Sequence, residues 1–409
     1  MTHILIVGKN FSSMKEYLLA NNYEYTVLQD VTATKFPNKK FKNRVVASFN
    51  SKSSVLHSLT KIQKPIDGVV CVYENYVLPT SWINEELGLP GMPLQAAEAC
   101  TDKELMRTLF NNAPEKISPA FSVINSEQEL VDFAKKHDFP LILKPANLAK
   151  SLLVTKNHSL EELIENYRKA QNLLKTTYAK YAPNRTPKLL VEEFLEGTIH
   201  SVDAFVDENG DPHILDNIVD YQTGYDIGYD DNFHYSRILP STLSIDDKTS
   251  LRHVAELGCK SLGIKSSPAH IEIIMTKNGP RIVEIGARNG GYRERMHSYA
   301  NNIDITANHI SVALGKQPTI IGTSNNACAV LELFPKQPGT FLAINNYETL
   351  KYMDSLQYIS IKASNGQYVG KSSDGYKMCA VIMLGSPSFD TLKRDLEYIR
   401  ANVTVITDS

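Results

Sequence analysis

The chain opens on an apolar run, His3-Ile4-Leu5-Ile6-Val7-Gly8, followed by apolar positions at helical spacing from Met14 to Ala20. Short apolar runs recur at 25–28, 45–47 and 68–72, with a polar helical stretch near 53–63 before the last of them. Strand-like runs separated by helix-length segments predict a parallel βαβ sheet covered on both faces. Leu89-Pro90-Gly91 breaks the pattern, and the first unit ends near Gly91-Met92-Pro93. Capping-box spacing marks helix starts at Thr101…Glu104, Ser126…Glu129, Ser159…Glu162 and, with Asp in place of Glu, Ser244…Asp247. Two hairpins are legible. One turns at Glu208-Asn209-Gly210-Asp211 between runs 202–206 and 214–218; the other turns at Lys277-Asn278-Gly279-Pro280 between 271–275 and 282–285. Beyond Gly322 the pattern predicts strands at 327–334, near 357–362 and at 378–384, a helix over 391–401 and a terminal strand at 403–406, a small α+β appendage. Neither an internal repeat nor a low-complexity linker is present.

Composition narrows the function classes. A chain of 409 residues has core enough for roughly two to four domains. With 43 Lys+Arg against 45 Asp+Glu, spread along the chain, it lacks the basic excess that phosphate neutralisation on nucleic acid requires. Its five cysteines lie far apart with no CxxC, which predicts reduced thiols in a reducing compartment and no structural zinc. The longest early apolar run is too short for a signal-peptide core or a membrane span. The expectation is a soluble, cytoplasmic, multi-domain protein with no nucleic-acid or membrane partner.

Candidate chemistry concentrates in the second hairpin. Alternation puts His270, Glu272 and Ile274 on one face, and Ile282, Glu284 and Gly286 on one face of the return strand. If the turn takes three residues, Glu272 and Glu284 stand directly across from each other. Their Cβ atoms would be roughly 4.5–5.5 Å apart, a spacing at which like charges destabilise a sheet. A divalent cation between them removes the conflict; a solvated hairpin face with two unrelated glutamates is the competing reading. Arg288, four residues past Glu284, would bring a guanidinium fork near the same place. Lys144 ends the apolar run Pro140-Leu141-Ile142-Leu143, where a charge needs an anionic partner. Lys103 lies in the first turn of the helix opened at Thr101, where a bound phosphate would offset the unfavourable dipole. Leu189-Leu190-Val191-Glu192-Glu193-Phe194-Leu195 ends a strand in apolar and acidic residues able to flank an adenine ring. Dinucleotide-binding, P-loop and serine-hydrolase fingerprints are all absent.

In series, Thr101-Asp102-Lys103, Leu143-Lys144-Pro145 with Ser151 beyond it, Val191-Glu192-Glu193-Phe194-Leu195, His270-Ile271-Glu272 and Glu284-Ile285-Gly286-Ala287-Arg288-Asn289-Gly290-Gly291 resemble the ATP-grasp carboxylate–amine ligases. The C-terminal unit resembles that of bacterial L-amino-acid ligases, the dipeptide synthetases. The resemblance implies an α/β and α+β fold: a Rossmann-like pre-ATP-grasp domain (1–98), a two-lobed ATP-grasp domain (99–322, lid lobe about 113–190) and a small α+β domain (323–409). It implies ATP-driven amide formation through an acyl phosphate, from small-molecule carboxylate and amine substrates such as amino acids, in a homodimer. By the same resemblance Lys103, Lys144 and Ser151 meet ATP phosphates. Glu192, Glu193, Phe194 and Leu195 line the adenine hinge, with His200 near the ribose. Glu272 and Glu284 bind one or two Mg²⁺ ions, with Mn²⁺ as a substitute. Arg288 is catalytic, and His270, Gly290, Gly291 and Arg293 contact substrate. Three positions depart from the family pattern: the loop 146–154 has no glycine, Ile199 stands where an acidic ribose ligand is common, and Gly286 replaces a further metal ligand. Another ATP-grasp product, of the carboxylase or nucleotide-precursor type, and a catalytically silent ATP-binding module remain as alternatives.

Overall fold

Ile4, Leu5, Ile6 and Val7 are fully buried because the first strand lies inside a sheet covered on both faces. The computed structural model describes residues 1–8, 12–34, 43–148, 152–181, 185–229 and 231–408. Strands β1 (His3–Val7), β2 (Glu24–Asp30), β3 (Arg44–Ala47) and β4 (Gly68–Cys71) form a parallel sheet in the order β3-β2-β1-β4. Just after β1, Gly8 (φ +102°) passes under the Tyr76 ring, where a Cβ would fall 2.1 Å from ring carbons. Tyr76 ends the short turn Glu74–Tyr76 that follows β4, so glycine lets that turn sit over the carboxyl ends of the strands.

A second sheet, antiparallel in the order β5-β8-β6-β7, comprises β5 (Phe121–Ile124), β6 (Leu141–Pro145), β7 (Thr155–Asn157) and β8 (Leu189–Glu193). Helices Glu127–Ala134 and Leu160–Tyr181 cover it with Leu130, Phe133, Leu163, Tyr167 and Leu174.

The remaining strands are β9 (Gly197–Val206), β10 (Pro212–Ile214), β11 (Val219–Thr223), β12 (His234–Leu239), β13 (Ser267–Thr276), β14 (Gly279–Gly286), β15 (Ala327–Leu333), β16 (Gly339–Ile344), β17 (Leu356–Ile361), β18 (Tyr368–Val369), β19 (Ala380–Ser386) and β20 (Val405–Asp408). The large central sheet runs β14-β13-β9-β11-β12-β15-β19-β17, with β10 beside β9; β18-β16-β20 form a small fourth sheet. Helix Ile245–Leu262 packs Leu251, Val254, Ala255 and Cys259 into the same core as Ile271, Ile273, Ile282 and Ile285 of the β13–β14 hairpin. Hydrogen bonding crosses residue 322 without interruption, since β15 pairs with β12. All five cysteines are buried and free, and no helix among the described residues is long and apolar enough to cross a membrane.

Three local readings change. Asp102, not Thr101, caps helix Lys103–Phe110, accepting from the N–H groups of Glu104 and Leu105, while Thr101 donates back to Ala97 and Glu98. A longer polar side chain one position on reaches the same orphan donors, so the spacing rule chose the wrong neighbour. The first hairpin returns at β10 rather than 214–218, because Asp207 Oδ1 gathers the N–H groups of Asn209, Gly210 and Asp211 into a tighter turn. In the second hairpin the loop between Thr276 and Gly279 is two residues, not three.

Candidate active site

One face of the central sheet carries a polar row that follows from register alone. In-register partners in a sheet point to the same side, and so do residues two apart in a strand. Glu284 pairs with Glu272, His270 with Asp203, Ser201 with Val219, and Tyr221 with Arg237, whose next partner is Val330. Glu332, two residues beyond Val330, shares that side. His234 would fall on the opposite side by alternation, but a register shift after Gln222 pairs it with Thr223 and turns it in. Its ring lies 4.2 Å from that of Tyr221, and Nδ1 lies 3.9 Å from Glu272 Oε1.

The two glutamates of the hairpin do stand directly across from each other. A bulge at Val283 restores the pairing that the shorter loop alone would have shifted by one residue. The bulged residue's carbonyl is not lost, since it accepts Arg107 Nη2 at 2.7 Å. Burial would raise both carboxyls. Instead His270, His234 and Arg288 hold Glu272 well below the usual carboxylate range, and Lys103, 3.0 Å from Glu284 Oε2, lowers Glu284. Arg288 donates Nε to Glu74 Oε2 at 3.1 Å and Nη1 to the Asn289 carbonyl at 3.1 Å. Burial, joined by Glu284, raises the Glu74 carboxyl, whose Oε1 is buried without a hydrogen-bond partner among the described residues. Gly286 makes this approach possible: a Cβ there would lie 2.9 Å from Glu74 Oε2.

Lys144 reaches Glu192 Oε2 at 2.6 Å, and Arg107, fully buried, reaches Glu192 Oε1 at 3.1 Å. Burial lowers Lys144 to about 8, with Glu192 opposing and Arg107 and Lys103 reinforcing the shift. Glu192 is therefore a buried anchor between two cations, not an open hinge residue. Glu193 turns away to Lys116, the Ala120 N–H and His137. Phe194, with Lys156 Nζ 3.9 Å from its ring centroid, and Leu195 stay half-exposed at the strand end. His200 has both ring nitrogens engaged, at 2.7 Å from Thr198 Oγ1 and 2.7 Å from Asp220 Oδ1, and is buried, so its ring has no nitrogen for a ribose. Ser151 lies outside the described residues.

His270 and Arg293 belong to a buried network rather than to an open surface. His270 Nδ1 meets Asp203 Oδ1 at 2.7 Å, Arg293 Nε donates to Asp203 Oδ2 at 2.9 Å, and Arg293 Nη2 reaches Ser201 and the Tyr221 hydroxyl. Burial opposes the charged imidazole, but Tyr221, Asp203 and Glu272 raise it to about 10. A positively charged His270 thus sits with Nε2 3.6 Å from Glu272. Gly290 serves this network: a Cβ there would fall 2.5 Å from His270 Nδ1 and 2.7 Å from Arg293 Cγ. Gly291, exposed and with nothing within 4 Å of a built Cβ, is the glycine open to a ligand.

Among the described residues no group of three or more His, Cys, Asp or Glu is arranged to hold a metal. The facing carboxylates nonetheless fit Mg²⁺, which takes one or two protein carboxylates and completes its shell with water and substrate phosphates. Sequence reasoning missed Glu74, Arg107, Asp203, Tyr221, His234, Arg237 and Glu332. Glu74 had a signal, lying three residues past the carboxyl end of a parallel strand, where ligands of open α/β sheets bind.

Comparison with known proteins bears on this geometry. Residues 137–294 match the ATP-grasp domain. Over 239 residues the chain is 29% identical to the alanine–anticapsin ligase of Bacillus subtilis (strain 168), covering 55% of this chain and 49% of that one, so it spans about half the length of this relative. It is 27% identical over 202 residues to a D-alanine–D-alanine ligase of Thermoanaerobacter sp. (strain X514), covering 47% of this chain and 53% of that one. The crystal structure of an L-amino acid ligase from Bacillus licheniformis superposes with a TM-score of 0.79 at 19% identity, covering 100% of this chain and 99% of that one. Phosphoribosylglycinamide synthetase from Anaerococcus prevotii does so with a TM-score of 0.73 at 18% identity over 100% of both chains. The chain therefore contains an ATP-grasp domain, has the ATP-grasp fold and resembles the L-amino-acid ligases.

Proposed function

We propose that this chain is an ATP-dependent carboxylate–amine ligase that forms a peptide-like amide bond through an acyl phosphate and releases ADP and phosphate. The observation that carries the reading is the face-to-face pair Glu272 and Glu284, both held ionised, with Lys103 on one flank and Arg288 on the other. Lys103 and Lys144 bind the ATP phosphates, and the half-exposed Phe194 and Leu195 take the adenine. Glu272 and Glu284 would hold one or two Mg²⁺ ions, with Mn²⁺ as a substitute. When bound, the cation neutralises charge on the transferring phosphoryl and polarises it. Arg288, fixed by Glu74 and the Asn289 carbonyl, directs Nη2 at the acyl phosphate oxygens and at the oxyanion formed when the amine attacks. A cation so held costs no reorganisation at the moment charge develops. The polar row beyond Glu272 would hold the substrates in line, as phosphoryl and acyl transfer both require. Five buried free thiols support a reducing, cytoplasmic setting, and a homodimer is carried by the resemblance alone.

Phosphate release from MgATP, with the twenty amino acids offered singly and in pairs, tests the reading. Release that needs a pair and yields ADP without AMP is the expected result. Release no greater than with MgATP alone, in a protein stabilised by MgATP on heating, would favour a silent nucleotide-binding module instead.

A further inference from the structure

Arg237 and Glu332 lie on the same face of the central sheet as the glutamate pair, farther along the strand order β13-β9-β11-β12-β15. Arg237 Nη1 is 3.3 Å from Glu332 Oε1, and the two side chains are only 13% and 4% exposed. The contact is poorly spent. Neither Arg237 Nη1 nor Glu332 Oε2 has a hydrogen-bond partner among the described residues, although both atoms are buried. Burying an ion pair in water's absence is offset only when alignment is good and the remaining donors and acceptors are satisfied. This pair meets neither condition, so the unfilled capacity calls for a ligand with matching chemistry.

The surroundings specify that ligand. The Arg237 guanidinium carbon lies 5.8 Å from the Tyr221 ring centroid and 5.3 Å from that of Tyr292, so both rings flank the fork. Tyr292 is held at φ 64°, a left-handed conformation costly for a bulky residue and kept only where its surroundings dictate it. It follows the exposed Gly291 directly, so the ring closes Arg237's side of the site next to the glycine that is open to a ligand. Between Arg237 and the reacting centre lie Tyr221 and His234, whose ring centroids are 4.2 Å apart. The cations nearer the glutamates are already engaged, His270 by Asp203 and Arg293 by Asp203, Ser201 and the Tyr221 hydroxyl, whereas Arg237 Nη1 has no hydrogen-bond partner among the described residues and keeps capacity for a ligand.

We propose that Arg237 binds the carboxylate of the amine substrate, so that the acceptor is an amino acid held by its acid group with its amine turned back toward the acyl phosphate. Glu332 is a positioning residue: it holds the guanidinium while the subsite is empty and yields the fork to a better-aligned carboxylate. This assignment rests on the ligase reading, and it names the residue that selects the acceptor.

Hydroxylamine separates the two claims, because it captures an acyl phosphate as a hydroxamate and has no carboxylate of its own. The wild-type chain is first offered MgATP, hydroxylamine and each amino acid in turn, to identify donors. The twenty amino acids and their C-terminal amides are then compared as acceptors for that donor, with products identified by mass. Wild type should prefer the free acids by roughly 10- to 100-fold in kcat/KM, the range set by one charged hydrogen-bonded contact. In Arg237→Gln the acid preference should fall below about threefold, with hydroxamate formation reduced far less than ligation to the free acids and the fold certified by stabilisation with MgATP on heating. Arg237→Lys should restore part of the preference, and Glu332→Gln should keep it. Equal loss of hydroxamate and ligation in Arg237→Gln, or an unchanged acid preference, overturns the assignment with the ligase reading intact. Absence of hydroxamate from wild type with every amino acid would overturn both.

Discussion

Lys144 shows how a single buried charge sets a pH window. Burial takes its ammonium from an ordinary 10.5 to about 8, because Glu192 only partly compensates for lost hydration and for Arg107 and Lys103 nearby. Since the folded value lies below the unfolded one, the folded chain binds fewer protons between about 8 and 10.5, and this group's destabilising contribution is relieved as pH rises through that window. Nucleotide binding runs the other way. A neutral Lys144 offers phosphate no charge, so KM for ATP should climb several-fold above about pH 8. Lys144→Arg, which cannot deprotonate, should flatten that rise; an equally steep profile in the variant would remove Lys144 from the phosphates. Glu284→Gln takes away one of the two facing carboxylates and the partner of Lys103. Turnover supported by Mg²⁺ should fall at least about 100-fold without a comparable loss of thermal stability, and near-normal turnover would dismiss the metal assignment. The charges that conflict with an apolar neighbourhood, Glu272, Glu284 and Lys144, were legible in the sequence for that reason. Arg107, Asp203 and Glu332 were not, because one charged residue in an alternating strand or amphipathic helix reads as solvent-facing until its partner, more than eighty residues away for Arg107 and Glu192, is known.

At the level of elements, irregularities decide the site. The bulge at Val283 keeps Glu284 opposite Glu272, and the shift after Gln222 brings His234 onto the same face. Periodicity located these strands within a few residues but could not reveal either bulge, since an extra residue leaves the apolar pattern of a short strand almost unchanged. The capping spacings show the same limit. Ser126, Ser159 and Ser244 do accept from the backbone three residues on, yet Glu129 and Glu162 bond the N–H of the residue before the cap. The segment after β14 offers a paired test. Gly290→Ala would drive a methyl to 2.5 Å from His270 Nδ1, in a network anchored on Asp203 that has no slack. It should cost about 1–3 kcal/mol in stability, read from urea midpoints, and reduce turnover with it. Gly291→Ala meets nothing within 4 Å and should leave stability within about 0.5 kcal/mol. Equal destabilisation by the two would mean that backbone freedom, not the closeness of His270, fixes this turn.

Across the whole molecule, the site is assembled from units that the sequence presents far apart. The parallel N-terminal sheet supplies Glu74, the antiparallel lobe supplies Lys144, and the central sheet supplies the glutamates and Arg288. The alternation of strand-like and helix-like runs foretold the parallel N-terminal sheet, but no local pattern revealed the contact by which its end meets the central sheet. That contact is the 3.1 Å pair of Glu74 and Arg288, and it yields a prediction about coupling. Arg288→Ala should lower kcat by about 100-fold or more while changing KM for ATP little, as expected for an interaction made in the transition state. Glu74→Gln keeps the shape of the side chain and removes its charge. If Glu74 acts only by aiming the guanidinium, kcat should fall by roughly 10-fold with KM for ATP within about twofold, and the double variant should be no worse than Arg288→Ala alone. Additive losses in the double variant would show instead that Glu74, through its unpartnered Oε1, makes a contact of its own with substrate. In either case the turn that follows β4 would belong to the proposed site, because it carries the carboxylate that accepts from Arg288 Nε.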